Sequence, residues 1–354
     1  MTRLCTVVSV WLAVMMAGVA AVGAESVLES ADVFVSGRGG YPVYRIPAMV
    51  VTERGTVLAF CEGRKTGIAD HGNIDIVFRR SEDGAKTWGP LQVIEGRGFQ
   101  TWGNPAPVED RDTGRVWLLF TRNNVGVWVT SSDDDGMSWA EPREITAEVK
   151  ADDWGWYATG PGHAVQLASG RLLVPCDHGE SDGMHSHVIY SDDHGSSWRR
   201  GGSLPAGTDE SMAVEVGSRV YLTIRNMFGK QRRAYAWSDD GGVTWSAAKI
   251  DESLTDPTCQ ASVLGLGPER VLFLNPASAR RENMAIRVSY DGAESWSGPR
   301  TIHAGPAAYS DLAILPDGSV GALFENGKHW PYHKITFVRL DMVRVLNGKA
   351  EGSQ

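Results

Sequence analysis

The sequence predicts an all-β fold, a six-bladed β-propeller, and three observations carry that expectation. First, an eight-residue phrase, Ser-x-Asp-x-Gly-x-x-Trp, returns five times, at 81–88, 132–139, 191–198, 238–245 and 289–296. Second, its closing tryptophans, Trp88, Trp139, Trp198, Trp245 and Trp296, are 51, 59, 47 and 51 residues apart. Self-similarity at that period belongs to propellers, solenoids and related arrays. Third, the segments between phrases are short β-rich runs punctuated by Gly, Pro, Asp and Asn, and no window reads as a long helix.

The elements follow in order. Residues 1–24 carry a basic Arg3, an apolar run from Val7 to Val22 and a small-residue end, Val22-Gly23-Ala24. That is the pattern of a secretory signal peptide. It predicts a secreted or periplasmic protein with no membrane insertion once the signal is removed, since nothing beyond it is long and apolar enough to span a bilayer. Residues 25–354 contain no Pro/Ser linker and read as one domain. Strands are expected over Val57–Phe60, Ile74–Arg79, Val116–Thr121, Gly126–Ser131, Arg171–Pro175, His187–Ser191, Arg219–Ile224, Arg233–Ser238, Arg270–Leu274 and Ala285–Ser289. Each phrase follows directly on such a run, as a turn between two strands would. Its chemistry suits a turn: Asp and Ser bond nearby backbone, Gly accepts positive φ, and Trp closes by packing. Ala85 and Ala293 stand where two copies lack the expected Gly. Four strands per repeat make one blade. Five phrases plus the remaining chain suggest six blades, one without the phrase, although five or seven would also satisfy the spacing. Val33–Val35 pairing near Ile335–Leu340 would close the ring.

Composition narrows the function. With 354 residues, a formal net charge of −9 and no basic run, the chain does not read as a nucleic-acid binder. Cys5 leaves with the signal, and Cys61, Cys176 and Cys259 have no paired spacing, so they read as small buried residues rather than a disulfide framework. His178, His185, His187 and His194 lie on two different turns without a metal-ligand spacing, so no metal is expected, and no cofactor motif is present.

The chemistry lies between the repeats. In Tyr41-Pro42-Val43-Tyr44-Arg45-Ile46-Pro47-Ala48-Met49-Val50 an arginine is embedded in an apolar strand, where it requires an anionic partner. This segment resembles the Arg-Ile-Pro motif of the exo-α-sialidases (neuraminidases), and the repeated phrase resembles their Asp box. The resemblance runs from about Tyr41 to Lys334.

It implies a retaining exo-α-sialidase that removes terminal α-linked sialic acid from glycans, with no cofactor. Three arginines would hold the substrate carboxylate through bidentate guanidinium contacts. Arg45 matches the first, Arg225 the second and Arg281 the third, with Arg280 and Arg287 as alternatives. Arg64, in Cys61-Glu62-Gly63-Arg64, is similar to a fourth arginine near the sugar 4-position, with Glu62 orienting it. Asp70, on the loop 66–75, matches the acid/base aspartate. Asp75 is its rival and reads as structural. Trp102 and Tyr157 fall in segments similar to the family's rim, where aromatics stack on sugar or line an N-acetyl pocket; blade packing accounts for them equally well. His163 reads as a hydrogen-bonded structural histidine.

Tyr309, in Ala307-Ala308-Tyr309-Ser310-Asp311-Leu312, matches the nucleophilic tyrosine, and Glu210, in Thr208-Asp209-Glu210-Ser211, the glutamate that activates it. A tyrosine suits an anomeric centre that already bears a carboxylate, because a neutral phenol approaches it without repulsion. A phenol near pKa 10 needs an adjacent base. Glu325 would steady one of the arginines. Two further readings stay open: a trans-sialidase or an altered sugar specificity, and a non-catalytic sialoglycan-binding Asp-box propeller.

Overall fold

A computed structural model describes residues 26–347, and the expected signal segment lies outside them. Strands dominate the regular structure of the described chain, joined by turns and loops and with two short helices, as the sequence predicts. β1 (Val27–Val35) precedes a sheet of β2 (Val43–Val51), β3 (Val57–Arg64), β4 (Ile74–Ser81) and β5 (Gln92–Glu95). The next sheet holds β6 (Trp102–Asp110), β7 (Arg115–Arg122), β8 (Gly126–Ser132) and β9 (Arg143–Glu144), followed by α1 (Thr146–Val149). β10 (Tyr157–Thr159), β11 (Val165–Gln166), β12 (Leu172–Glu180), β13 (Gly183–Ser191) and β14 (Arg199–Ser203) make the third sheet. β15 (Thr208–Val216), β16 (Arg219–Asn226), β17 (Arg232–Ser238) and β18 (Lys249–Thr255) make the fourth. The remainder is one seven-stranded sheet. It runs through β19 (Ser262–Gly265), β20 (Val271–Pro276), β21 (Glu282–Ser289), β22 (Arg300–Ile314), β23 (Val320–Asn326) and β24 (Lys334–Leu340) to β1, with α2 (Met342–Asn347) after it.

Six separate blades are therefore not what the hydrogen bonding gives: four sheets are self-contained and the fifth has seven strands. The reason is the length of β22. Its first half, Arg300–Pro306, pairs with β21 and its second, Ala307–Ile314, with β23, so one strand is shared where a break was expected. The ring does close as anticipated, through β1 lying antiparallel on β24 with Phe34 opposite Ile335. Innermost strands touch in a circuit, β2 to β6, β6 to β10 and β11, β11 to β15, β15 to β19, β19 to β22 and β22 back to β2.

The five phrases share one turn. In the third, Ser191 Oγ donates to Asp193 Oδ1 at 2.8 Å, and Asp193 accepts from Ser197 backbone and hydroxyl at 2.9 and 2.6 Å. The tryptophans then reach backwards onto the preceding sheet: Trp88 meets Phe337, Trp139 meets Phe60 and Phe78, and Trp198 meets Trp117 edge-on at 6.4 Å. The repeat is thus both a turn and an inter-sheet staple. Gly195 shows the tolerance of the arrangement. Its φ is +81°, and a Cβ there would run into the Trp117 ring. Ala85 and Ala293 adopt the same left-handed region, at φ +69° and +68°, where a side chain is strained.

The axis is tied by one buried carboxylate. Asp311 accepts from the backbone of Met49 (2.8 Å) and His163 (3.0 Å), from Ser262 Oγ (3.1 Å) and from its own Leu312 (2.9 Å), and its Oδ1 lies 2.6 Å from His163 Nδ1. Cys61, Cys176 and Cys259 are buried and unpaired. No helix among the described residues is long and apolar enough to cross a membrane.

Candidate active site

Bulges in the innermost strands aim the site residues. Register breaks between Arg45 and Ala48 in β2, between Gly103 and Ala106 in β6, between Thr208 and Ser211 in β15 and between Ala307 and Ser310 in β22. A bulge bends its strand and re-aims the side chains beside it. Arg45, Glu210 and Tyr309 all sit at these breaks. Ile46 is at φ +60°, an outlier for a β-branched residue and a strain held by its surroundings. Its N–H donates to Glu325 Oε1 at 2.9 Å.

The tyrosine lies at the centre. Tyr309 is buried, its hydroxyl donates to Glu210 Oε1 at 2.5 Å, and Arg225 Nη1 reaches that hydroxyl at 3.0 Å and Glu210 Oε2 at 2.8 Å. Burial, and then the negative field of Glu210, push the phenol well above its ordinary value, while Arg225 and Arg281 pull it down. The tyrosine therefore rests as a phenol until its proton is taken. Glu325, fully buried, accepts from Arg45 Nε at 2.7 Å and from the Tyr309 backbone at 3.1 Å, so one carboxylate positions both. Ser310, the next residue, is clamped by Gln260, which accepts from its N–H and donates to its carbonyl, each at 2.9 Å.

The arginines converge. The guanidinium carbons of Arg45 and Arg281 lie 5.0 and 5.4 Å from the Tyr309 ring centre. Burial is the largest influence on both guanidiniums and opposes their charge, but Glu325 with Tyr332 and Tyr309 together outweigh it on Arg45, and Glu210 with Tyr309 and Asp209 together do so on Arg225. Arg64 is held by Glu62 (2.8 and 2.6 Å) and reaches Asp70 Oδ1 at 2.8 Å; Arg45 lies 3.8 Å from the same oxygen. The Asp70 side chain is 63% exposed, and its carbonyl is fixed by Asn124 Nδ2 at 2.8 Å.

Two expected rim residues are elsewhere. Trp102 is buried, packed edge-on against Phe120 and Trp128. Tyr157 is fully buried in β10 with its hydroxyl 3.0 Å from His187 Nε2. Each sits at the start of a strand whose inner face is core, so neither meets the cleft. Asp75, by contrast, is the anchor for Tyr41 (2.5 Å) and Lys65 (2.8 Å). Arg280 is exposed beside Glu282, and Arg287 is buried away from the group.

Sequence reasoning missed three contributors. Tyr332 accepts from Arg281 Nη1 at 2.7 Å and lies under Arg45 at 4.1 Å, yet the surrounding His329-Trp330-Pro331-Tyr332 carries no motif. Asp209 lies 3.5 Å from Arg225 Nε, and burial beside Glu210 raises its carboxyl to about 6. Behind it Asp177 is buried with Trp156 Nε1 at 2.9 Å; burial, and then Asp209 and Glu210, push its carboxyl well above its ordinary value. The histidine argument also needs correcting, because β12 and β13 pair His178 directly with His185.

Fold and site together define a propeller enzyme that presents guanidinium groups around a tyrosine–glutamate pair. Residues 55–322 match the BNR repeat-like domain family. The chain is 34% identical over 348 residues to a sialidase of Micromonospora viridifaciens, covering 86% of this chain and 53% of that protein. It therefore spans about half the length of that relative. Against an exo-alpha-sialidase of Aspergillus fumigatus it is 29% identical, covering 87% and 86%. Against Sialidase-3 of Rattus norvegicus it is 30% identical over 395 residues, covering 86% and 92%. The Hadza microbial sialidase Hz136 superimposes with a TM-score of 0.81 at 26% identity, covering 88% of this chain and 68% of that one. The intramolecular trans-sialidase of Ruminococcus gnavus, solved with oseltamivir carboxylate, gives 0.76 at 19% identity over 91% and 99%, a likeness of fold. The chain belongs to the sialidase family, and is a glycoside hydrolase.

Proposed function

We propose that this chain is a retaining exo-α-sialidase, hydrolysing terminal α-linked sialic acid through a tyrosyl–sialosyl intermediate. It would act outside the cytoplasm, secreted or periplasmic, on a propeller whose seven-stranded sheet counts as two blades sharing β22, giving six. The observation that carries the reading is the Tyr309–Glu210–Arg225 contact, a phenol within 2.5 Å of its base and 3.0 Å of a guanidinium. A binding propeller has no use for a phenol so placed.

Arg45, Arg225 and Arg281 would bind the substrate carboxylate, which then relieves their contacts with Glu210 and Asp70. Glu210 takes the Tyr309 proton as the phenolate oxygen forms its bond to the anomeric carbon. Asp70 protonates the glycosidic oxygen as that bond breaks. In the second half Asp70 accepts a proton from water, the water oxygen bonds to the anomeric carbon, and Tyr309 departs and recovers its proton from Glu210. The phenol remains neutral until attack, which suits an anomeric carbon next to a carboxylate.

A second reading, intramolecular transfer to an anhydro sugar, shares every step but the last, in which a hydroxyl of the bound sugar replaces water; the exposed Asp70 side chain gives water access and favours hydrolysis. Proton NMR of sialyllactose turnover separates them. Free sialic acid appearing first as the α-anomer is expected. An anhydro product supports the second reading, and a β-anomer formed first contradicts retention.

A further inference from the structure

We propose that the tip of the β12–β13 hairpin is a divalent transition-metal site of zinc type, built from His178, Glu180 and His185 with Asp182 beside them. One ligand atom from each of the first three lies within 4.8 Å of the others. His178 Nε2 is 2.9 Å from Glu180 Oε1, and His185 Nε2 is 2.8 Å from Asp182 Oδ1. A tetrahedral ion with bonds of about 2.0–2.2 Å needs ligand atoms about 3.4 Å apart, so small outward shifts make the cage.

Hydrogen-bond logic supports it. His185 Nδ1 lies 2.9 Å from the Leu204 carbonyl, which only accepts, so Nδ1 carries the hydrogen. The His185 Nε2 lone pair then points at the Asp182 carboxylate, a contact filled either by a proton, as an imidazolium donating to Asp182, or, after a small outward shift, by a metal ion in that proton's place. His178 is equally prepared. Its Nδ1 is 2.9 Å from His187 Nδ1, and His187 Nε2 is 3.0 Å from the Tyr157 hydroxyl. Reversing the hydrogens along that chain frees Nε2 for a metal without breaking a contact. An imidazole ligand whose second nitrogen donates to a carbonyl or a neighbouring acceptor is the usual support for zinc. Ring orientation is set by stacking, Trp154 on His178 with centroids 3.4 Å apart and His178 on His185 at 5.3 Å. Two carboxylates and two neutral imidazoles balance a dication, and the nitrogen donors select a transition metal over calcium.

The site has a reason to exist. Next to His185, Ser186 N–H donates to Thr208 Oγ1 at 2.8 Å and Ser186 Oγ donates to the Asp209 carbonyl. The hairpin therefore braces the segment that carries Glu210, and the metal would be structural rather than catalytic.

The test uses the untagged mature chain, stripped with chelator and titrated with zinc by calorimetry, with thermal denaturation alongside. One zinc per chain is expected, with a rise in Tm of about 4 °C at a hundred times the dissociation constant. His185→Gln and the Glu180→Gln/Asp182→Asn pair should each weaken binding at least tenfold. The pair sits on the exposed tip, so it keeps the test open should His185→Gln misfold. His194→Ala probes the competing group of Asp110, Asp112 and His194 and should leave binding unchanged. No binding by the wild-type chain, binding that survives the hairpin variants, or binding lost only in His194→Ala would each overturn the proposal.

Discussion

Asp209 shows how closely residue-scale electrostatics constrains this site. Its carboxyl lies 3.5 Å from Arg225 Nε, and its Oδ1 accepts from the Glu210 N–H at 2.9 Å. Burial first, and then Glu210, raise it to about 6 from the ordinary 3.8. The folded state thus holds this proton more tightly than the unfolded chain. Raising the pH from about 4 to about 6 therefore costs stability, and the cost is complete above 6. The same ionisation places a second negative charge beside Arg225 and competes with an anionic substrate. We expect KM for a sialoside to rise roughly threefold to tenfold as the pH passes through 6. Asp209→Asn should flatten that rise while leaving kcat within about threefold; a KM profile identical to the wild type's would refute the role. Legibility at this scale was uneven. That Arg45, Arg64, Arg225, Arg281, Asp70, Glu210 and Tyr309 belong together could be read because each stands in a short motif. Trp102 and Tyr157 stood evenly between rim and blade packing, since a Trp or Tyr at a strand start has the same sequence whether it faces a cleft or a core, and burial decides for packing. Tyr332 and Asp209 act only through neighbours distant in sequence, Arg281 and Arg225, so nothing local announced the first, and Asp209 was legible only as a companion of Glu210.

The repeated turn governs the elements. Its aspartates are depressed where Asp209 is raised. Asp83 and Asp134 are lowered to about 2 chiefly by the hydroxyls of Thr87 and Ser138, and Asp193 to about 2 by its bonds with Ser197 against a burial penalty. Their stabilisation is present above about pH 4 and is lost as the pH falls toward 2. The glycine position separates strain from packing. Gly195→Ala should cost about 2–4 kcal/mol, from left-handed strain and collision with Trp117. That lowers Tm by about 3–6 °C. Ala85→Gly should stay within about 1 kcal/mol of the wild type, because relief of strain offsets a lost buried methyl group. Equal Tm values for Gly195→Ala and the wild type in a thermal melt would show the turn to be more plastic than this. The sequence announced these turns because their chemistry is local. It was silent on the bulges at Arg45, Asn104, Glu210 and Tyr309, which arise only when a neighbouring strand fixes the register. It was equally silent on the pairing of His178 with His185, a matter of hairpin register rather than spacing.

At the scale of the whole molecule, ring closure and axis do the joining. The five tryptophans staple sheet to sheet, β1 seals the circuit on β24, and Asp311 ties β2, β19 and β22 to the segment before β11. Removing one partner from such a buried network leaves several donors unsatisfied. Asp311→Ala should therefore cost about 3–5 kcal/mol, seen as a drop in Tm of about 4–7 °C with loss of activity, since Asp311 lies two residues from Tyr309. A variant melting within 1 °C of the wild type would show that the axis is held by other means. The propeller itself was legible from the period of the repeat, and the shared strand β22 was not, because a fifteen-residue strand serving two sheets looks in sequence like two strands with a loop.

The central claim is that Tyr309, activated by Glu210, is the nucleophile of a sialidase. The most direct measurement is release of sialic acid from a fluorogenic α-sialoside by wild-type chain and Tyr309→Phe. Intact-mass analysis after incubation with a slow fluorinated sialoside goes alongside. The account predicts that kcat falls by at least about a thousandfold in the variant. It also predicts that the wild type gains one sialosyl group on the peptide containing Tyr309, and the variant none. Unchanged turnover by Tyr309→Phe, or an adduct on any other residue, would contradict it.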